Sequence, residues 1–136
     1  MRSVNVGTCE LDESLDRAGF RHAAASVGER LGAERLGATV YEAQAGHSIW
    51  PHHYHHAIEE WLYVVSGEPV LRDAGGKRAL AAGDLICFPP GHRGAHSMSG
   101  PGRFVVRLRL AGKFSRRTAR RWTANAGPSL RNPGFG

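Results

Sequence analysis

Four histidines and two glutamates fall within nine positions of one segment, WPHHYHHAIEEW at 50–61. In an extended strand, residues i and i+2 share a face, so His53 and His55 can point the same way. Two neutral imidazoles on one face make half of a site for a divalent metal ion, which also favours a carboxylate ligand. Glu59 and Glu60 both lie close enough to supply it. The segment therefore predicts a metal site; the alternative is a solvated polar loop, or core histidines bonded to backbone carbonyls.

Short apolar runs bounded by turn residues recur along the chain and indicate an all-β domain. Runs of this length and even spacing are typical of a sandwich or a barrel. Strands are predicted at 38–43, 60–65, 68–72, 77–80, 84–89, 95–98 and 103–110. Those between 60 and 80 are separated by short turns and are expected to form an antiparallel meander. The first 37 residues show one weak helical pattern, at 26–36, and otherwise predict an arm over the barrel.

The strand that follows the histidines, Trp61 to Val65, is apolar at every position. Because it does not alternate with polar residues, both of its faces should be covered by protein. One face would line the barrel interior. The other would lie against a second sheet, the N-terminal arm or a partner subunit, and a homodimer is the simplest arrangement.

Composition limits the class of protein further. A chain of 136 residues is long enough for one domain and too short for two ordinary ones. All twelve acidic residues lie at or before Asp84, so the net charge of +6 arises from the C-terminal part. No nucleic-acid-binding motif accompanies it, and no segment is apolar enough to span a membrane. A cytoplasmic protein that binds neither nucleic acid nor membrane is predicted, with Cys9 and Cys87 reduced.

The histidine segment resembles the first sequence motif of the cupins. That motif places a glycine before His-x-His, a glutamate shortly after it and a second glycine after six more residues. In this chain it reads Gly46, His53-Tyr54-His55, Glu60 and Gly67. The spacing from Glu60 to Gly67 matches the family and selects Glu60 over Glu59 as the carboxylate.

A second cupin motif, Gly, Pro-x-Gly, His and then Asn, is matched by Gly83, Pro89-Pro90-Gly91 and His96. The loop before His96 is two residues longer than the common form, and it ends in Gly-Ala-His as in a subgroup of bacterial cupins. Gly100 stands in the place of the asparagine. Since that asparagine is not a metal ligand in the family, its loss leaves the ligand set intact.

The resemblance implies a double-stranded β-helix, or jelly-roll barrel, at 38–110. The sequence on either side predicts an N-terminal arm at 1–37 and an irregular basic tail at 111–136. It further implies that His53, His55, Glu60 and His96 hold one divalent metal ion. Three imidazoles and a carboxylate suit iron, manganese, nickel and zinc alike. The implied function is a metal-dependent enzyme, such as a dioxygenase or isomerase, that acts on a small oxygen-bearing molecule. The alternative is a module that binds a small molecule or sugar through the metal without catalysis.

Overall fold

The computed structural model describes residues 1–109, which form nine β-strands and one short helix. The strands are β1 (Glu13–Arg17), β2 (Phe20–Ala25), β3 (Leu36–Ala43), β4 (Glu60–Gly67), β5 (Val70–Asp73), β6 (Gly76–Ala79), β7 (Leu85–Phe88), β8 (Ser97–Ser99) and β9 (Gly102–Arg109). The helix α1 spans Val27–Arg30, and a single 3-10 turn spans His92–Gly94. Among these residues, no helix has the length and apolarity needed to cross a bilayer.

Two antiparallel sheets pack face to face, as expected for a jelly roll. The larger sheet has the strand order β1-β2-β3-β9-β4-β7, and the smaller has the order β6-β5-β8. Apolar side chains from both sheets meet between them and form the main core. They are Ala43, Ile49, Leu62, Val64, Leu71, Leu80, Phe88, Met98, Phe104 and Val106. The prediction of an all-β jelly-roll fold is therefore confirmed.

All seven predicted strands are present. In the predicted meander, however, the pairing of the first strand with the second is wrong. β4 pairs with β7 and β9, whereas β5 pairs with β6 and β8 in the other sheet. The chain changes sheets at Gly67, whose φ of 82° is a conformation that suits glycine. A Cβ there would also lie only 2.6 Å from the Cα of Gly102. Pro69, which follows, is buried and cannot donate a backbone hydrogen bond to a continuing ladder.

Residues 1–37, predicted as an arm, contribute β1 and β2 to the edge of the larger sheet. The helical pattern at 26–36 yields only the four residues of α1. Apolar residues of the first eleven positions pack on the outer face of the larger sheet, away from the main core. This second cluster contains Val4, Val6, Cys9, Leu11, Ala25, Val27, Ala38, Val40 and Val105. The predicted basic tail, 111–136, lies outside the described residues.

Candidate metal centre

Three titratable side chains from separate elements converge at one end of the core. His53 precedes β4, Glu60 is the first residue of β4, and His96 immediately precedes β8. One nitrogen of each histidine and one carboxylate oxygen of Glu60 all lie within 4.8 Å of one another. Glu60 is 2% exposed and His96 is fully buried. Buried charges are rare unless they are paired or bind a metal, so this group calls for a specific explanation.

Backbone hydrogen bonds hold the two histidine-bearing loops together. The N–H of His53 donates to the carbonyl of His96 at 3.0 Å, and the N–H of His96 donates back at 2.9 Å. A third bond, from the N–H of Gly91 to the carbonyl of His55, spans 2.7 Å. The reciprocal pair makes His53 and His96 direct cross-strand neighbours, and side chains of such neighbours stand on the same face. Residues 43 positions apart are thus placed side by side.

Backbone carbonyls also fix the tautomer of each imidazole. Nδ1 of His53 donates to the carbonyl of Pro51 at 2.9 Å, and Nδ1 of His96 donates to the carbonyl of Gly94 at 2.8 Å. With the proton on Nδ1, each Nε2 keeps its lone pair, which is the arrangement a metal-binding histidine needs. Gly94 has a steric reason to be glycine, since a Cβ there would collide with the carbonyl oxygen of Pro89.

Aromatic rings pack around the imidazoles. Phe88 stacks on His96 with the ring centroids 3.6 Å apart and the planes 6° from parallel. Trp50 meets the ring of His53 edge to face at 5.6 Å and that of His96 at 6.3 Å. These contacts restrict the orientation of both imidazoles and keep water away from that side of the cluster.

The surroundings set the charge on each group. Burial alone raises the pKa of Glu60, but the imidazoles of His55 and His96 outweigh it and lower that pKa to about 2. Burial, followed by the neighbouring His96, lowers the pKa of His53 to about 4. At neutral pH the cluster therefore combines an ionised carboxylate with a neutral imidazole. These are the protonation states that metal ligands require.

The cluster also leaves polar atoms without well-aligned protein partners. Nε2 of His96 lies 3.5 Å from Glu60 Oε1, and Nε2 of His55 lies 2.7 Å from Glu60 Oε2. Neither His96 Nε2 nor Glu60 Oε2 has a partner at hydrogen-bonding angles, although both are buried. Buried polar atoms without such partners are costly, and a cation between them would satisfy both. The residues present therefore fit a divalent metal ion.

Each predicted ligand has a defined place in this arrangement. His53, Glu60 and His96 form the close group, and His55 contacts the carboxylate of Glu60. Glu59, the rival carboxylate, is exposed on the opposite face of the chain, where it accepts a hydrogen bond of 3.0 Å from Trp61 Nε1. The sequence analysis missed Trp50. Its position at the start of the histidine segment is a signal that could have identified it.

The comparisons with known proteins agree with this architecture. The profile of the family described as "Cupin domain" matches residues 39–108. Among solved structures, a candidate sugar phosphate isomerase from Acidithiobacillus ferrooxidans is similar at 31% identity and a TM-score of 0.60. That match covers 68% of this chain and 62% of the other, so the chain spans less than two thirds of that protein. No curated protein matches the sequence.

Two further structures are similar in fold at lower identity. One is a sugar phosphate isomerase of the cupin superfamily from Silicibacter pomeroyi, with 20% identity, a TM-score of 0.68, and coverage of 81% of this chain and 76% of that one. The other is a polyketide cyclase from Streptomyces resistomycificus, with 19% identity, a TM-score of 0.57, and coverage of 85% and 88%. At such identities the likeness shows a shared fold, and the named activities belong to those proteins.

Proposed function

Since this chain belongs to the cupin domain family, we propose that it is a metal-dependent enzyme acting on a small oxygen-bearing molecule. His53, His55, Glu60 and His96 would hold one divalent metal ion. The observation that carries the proposal is the convergence of one nitrogen from each of two histidines and one ionised carboxylate within 4.8 Å, each on a rigidly held side chain.

The ion would act as a Lewis acid or redox centre for an oxygen-bearing substrate at the coordination positions that four protein ligands leave free. The protein's own groups set the charge, the orientation of the imidazoles and the exclusion of water at this site. Glu60 carries the negative charge that offsets the charge of a bound cation. Phe88 and Trp50 hold the imidazole rings and exclude water from one side. The carbonyls of Pro51 and Gly94 keep the Nδ1 protons in place, so that each Nε2 stays available.

Among the possible reactions, we favour an isomerase-like one over an oxidation by dioxygen. The support is that the similar structure at 31% identity is described as a candidate sugar phosphate isomerase. A polyol phosphate or a hydroxy-carbonyl compound offers adjacent oxygen atoms, which can chelate a hard or borderline metal ion. The alternative function, a module that binds such a molecule through the metal without turning it over, uses the same site.

The metal assignment is tested by elemental analysis of untagged protein purified without added metal. About one equivalent of iron, manganese, nickel or zinc is expected, with loss of the metal in His53→Ala and in His96→Ala. His47→Ala is the matched control, because His47 lies outside the cluster and its imidazole donates to the nearby carbonyl of Ala45. Absence of metal from the wild-type protein, even after reloading, would refute the ligand assignment.

A second experiment separates the enzyme from the binding module. The metal-loaded protein is incubated with a panel of aldose and ketose phosphates in deuterated water, and deuterium incorporation next to the carbonyl is followed by NMR. An isomerase that moves a proton by way of an enediol would exchange it with solvent. Binding of a panel member without exchange or product formation would favour the non-catalytic module.

A further inference from the structure

Two polar side chains of β3 face the interior of the barrel. In the strand register, Thr39 is opposite Val106 of β9, and Tyr41 is opposite Phe104. Because directly opposite residues of an antiparallel ladder point to the same face, Thr39 and Tyr41 share the inner face with these two core residues. Val106 and Phe104 are buried, whereas Thr39 and Tyr41 are only partly buried. The barrel interior is therefore accessible to solvent beside β3.

Aromatic contacts connect Tyr41 to the candidate metal centre. The ring of Tyr41 meets the ring of Trp50 edge to face, with the centroids 5.0 Å apart. Trp50 in turn contacts the ring of His53 at 5.6 Å. Tyr41 also stacks on Phe104, with the centroids 6.1 Å apart and the planes 28° from parallel. These contacts restrict the phenol ring to the part of the barrel that contains the metal centre.

The phenol of Tyr41 is also close to the carboxylate of Glu60. Burial, followed by the charge of Glu60, raises the pKa of Tyr41 to about 12, so the hydroxyl keeps its proton at neutral pH. The side chains that hydrogen-bond to Glu60 are those of His55 and His96. Within residues 1–109, Tyr41 is therefore near enough to Glu60 to be affected by its charge, but it does not hydrogen-bond to that carboxylate.

Thr39 orients the hydroxyl of Tyr41. A hydrogen bond between the two side chains lowers the pKa of Tyr41, although burial and Glu60 have larger effects in the opposite direction. A hydrogen bond that lowers the pKa of a phenol favours the phenolate, so the Thr39 hydroxyl is the donor and the phenol oxygen is the acceptor. The hydrogen of the phenol itself is then available for another acceptor.

A hydrogen-bond donor in this place suits one class of ligand. The oxygen atoms of a molecule that chelates a divalent cation carry or gain negative charge, and a fixed donor stabilises that charge. The surrounding rings of Trp50 and Phe104 strengthen such a hydrogen bond, because they provide a medium of low dielectric constant. The expected ligand is thus a small molecule with a negatively charged chelating oxygen, such as an α-hydroxy carboxylate or a hydroxamate.

We propose that the phenol hydroxyl of Tyr41 donates a hydrogen bond to an oxygen atom of the molecule bound at the metal centre, and that Thr39 orients this hydroxyl. The inference rests on the proposed function, since it requires an occupied metal centre. It adds to that function a substrate-binding residue on β3, outside both the histidine segment and the loop that carries His96.

Calorimetric titration of the zinc-loaded protein with acetohydroxamate, a small chelator with two oxygen donors, tests this proposal. Tyr41→Phe removes only the hydroxyl and keeps the ring contacts with Trp50 and Phe104. The dissociation constant of acetohydroxamate should rise on the order of tenfold, because a hydrogen bond to a charged oxygen is lost. The matched control is Tyr63→Phe, the same change on the exposed outer face of β4, which should leave the dissociation constant unchanged.

A double-mutant cycle tests the role of Thr39. Thr39→Val keeps the branched shape of the side chain and removes its hydroxyl. It should weaken acetohydroxamate binding about threefold when Tyr41 is present, since the phenol is then less well oriented. In the Tyr41→Phe background the same substitution should have no further effect, because Thr39 acts through the phenol. Equal effects of Thr39→Val in the two backgrounds would refute its positioning role.

The zinc content of each variant separates this inference from the proposed function. One equivalent of zinc in Tyr41→Phe, together with weaker acetohydroxamate binding, supports the proposal. It is overturned if Tyr41→Phe binds acetohydroxamate as tightly as the wild type does, and the metal assignment then stands. It is also overturned if Tyr41→Phe loses the zinc, because the phenol would then support the metal site itself. A wild-type protein that retains zinc but binds no acetohydroxamate would refute both the proposal and the open coordination position that the proposed function needs.

Discussion

The two faces of β4 differ sharply, although they belong to one apolar run. On the inner face, Glu60, Leu62 and Val64 are essentially inaccessible to solvent. On the outer face, Trp61 and Tyr63 remain more than one third exposed. The expectation that protein covers both faces holds within the described residues only for the inner one. A continuous apolar run therefore indicates which residues can be buried, but not what covers each face.

The inner face is also the one that contains a charge. A buried carboxylate is tolerated at Glu60 because the imidazoles of His55 and His96 contact it. One position earlier, Glu59 on the outer face needs no such support, since water solvates it. The carboxylate of Glu60 is buried beside the histidines, where it can bind a metal ion. The carboxylate of Glu59 is exposed and accepts a hydrogen bond from the Trp61 indole.

The largest expected difference between the two faces is in stability. Leu62→Ala should lower the free energy of unfolding by about 2–5 kcal/mol, because Leu62 is fully buried in the main core. Tyr63→Ala should lower the free energy of unfolding by less than about 1 kcal/mol, because the side chain of Tyr63 is partly solvated. Urea denaturation of the metal-free variants measures both. Equal losses would mean that the outer face is as well packed as the inner one.

The second difference is in metal affinity. Glu60→Gln should weaken binding of the metal on the order of 100-fold or more, since it removes the only negatively charged ligand in the proposed set. Glu59→Gln is the matched control, with no change expected, because that carboxylate points away from the cluster. Isothermal titration with the metal found by elemental analysis gives both constants. An equal loss of metal affinity in the two variants would mean that Glu59 is also a metal ligand.

A third prediction concerns residues 4–11, which cover part of the outer face of the larger sheet. Arg103→Gln should cost about 1–3 kcal/mol, since Arg103 is largely buried and its guanidinium donates charge-assisted hydrogen bonds to Glu42 and to backbone carbonyls. Hydrogen exchange of residues 4–11 should speed up. Arg78→Gln should change little, because the pair of Arg78 with Asp73 is long at 4.0 Å and exposed. Unchanged exchange in Arg103→Gln would show that apolar packing alone holds the segment.

The last prediction concerns the pH dependence of the metal-free protein. The pKa of His53 is lowered from 6.5 to about 4, so the unfolded state binds more protons between these values. The free energy of unfolding should therefore fall as the pH drops from about 6.5 to about 4, by up to about 1.4 kcal/mol per pH unit for this one group. His53→Ala should reduce that slope, as measured by urea denaturation across the range. A slope identical in the variant would assign the effect to His22 and His52, whose pKa values burial also lowers.

Most of the fold could be predicted because its strands are encoded locally. Short apolar runs and the turn residues between them locate each strand from β3 to β9, and the family motifs identify the arrangement. The pairing of β4 could not be derived in this way, since its partners β7 and β9 are distant in sequence and the change of sheet at Gly67 depends on close contact with Gly102. β1 and β2 lack a long apolar pattern, because they lie at the edge of the sheet.

For the candidate site, the sequence by itself determined the residue types and their spacing: a His-x-His pair followed by a carboxylate, with turn residues on either side. Those features are local, so no tertiary contact is needed to recognise them. The tertiary structure decided which groups meet. The backbone pairing of His53 with His96 and the burial of Glu60 rather than Glu59 both depend on segments far apart in sequence. Residue types define the chemistry that is available, and nonlocal packing determines which side chains come close enough to perform it.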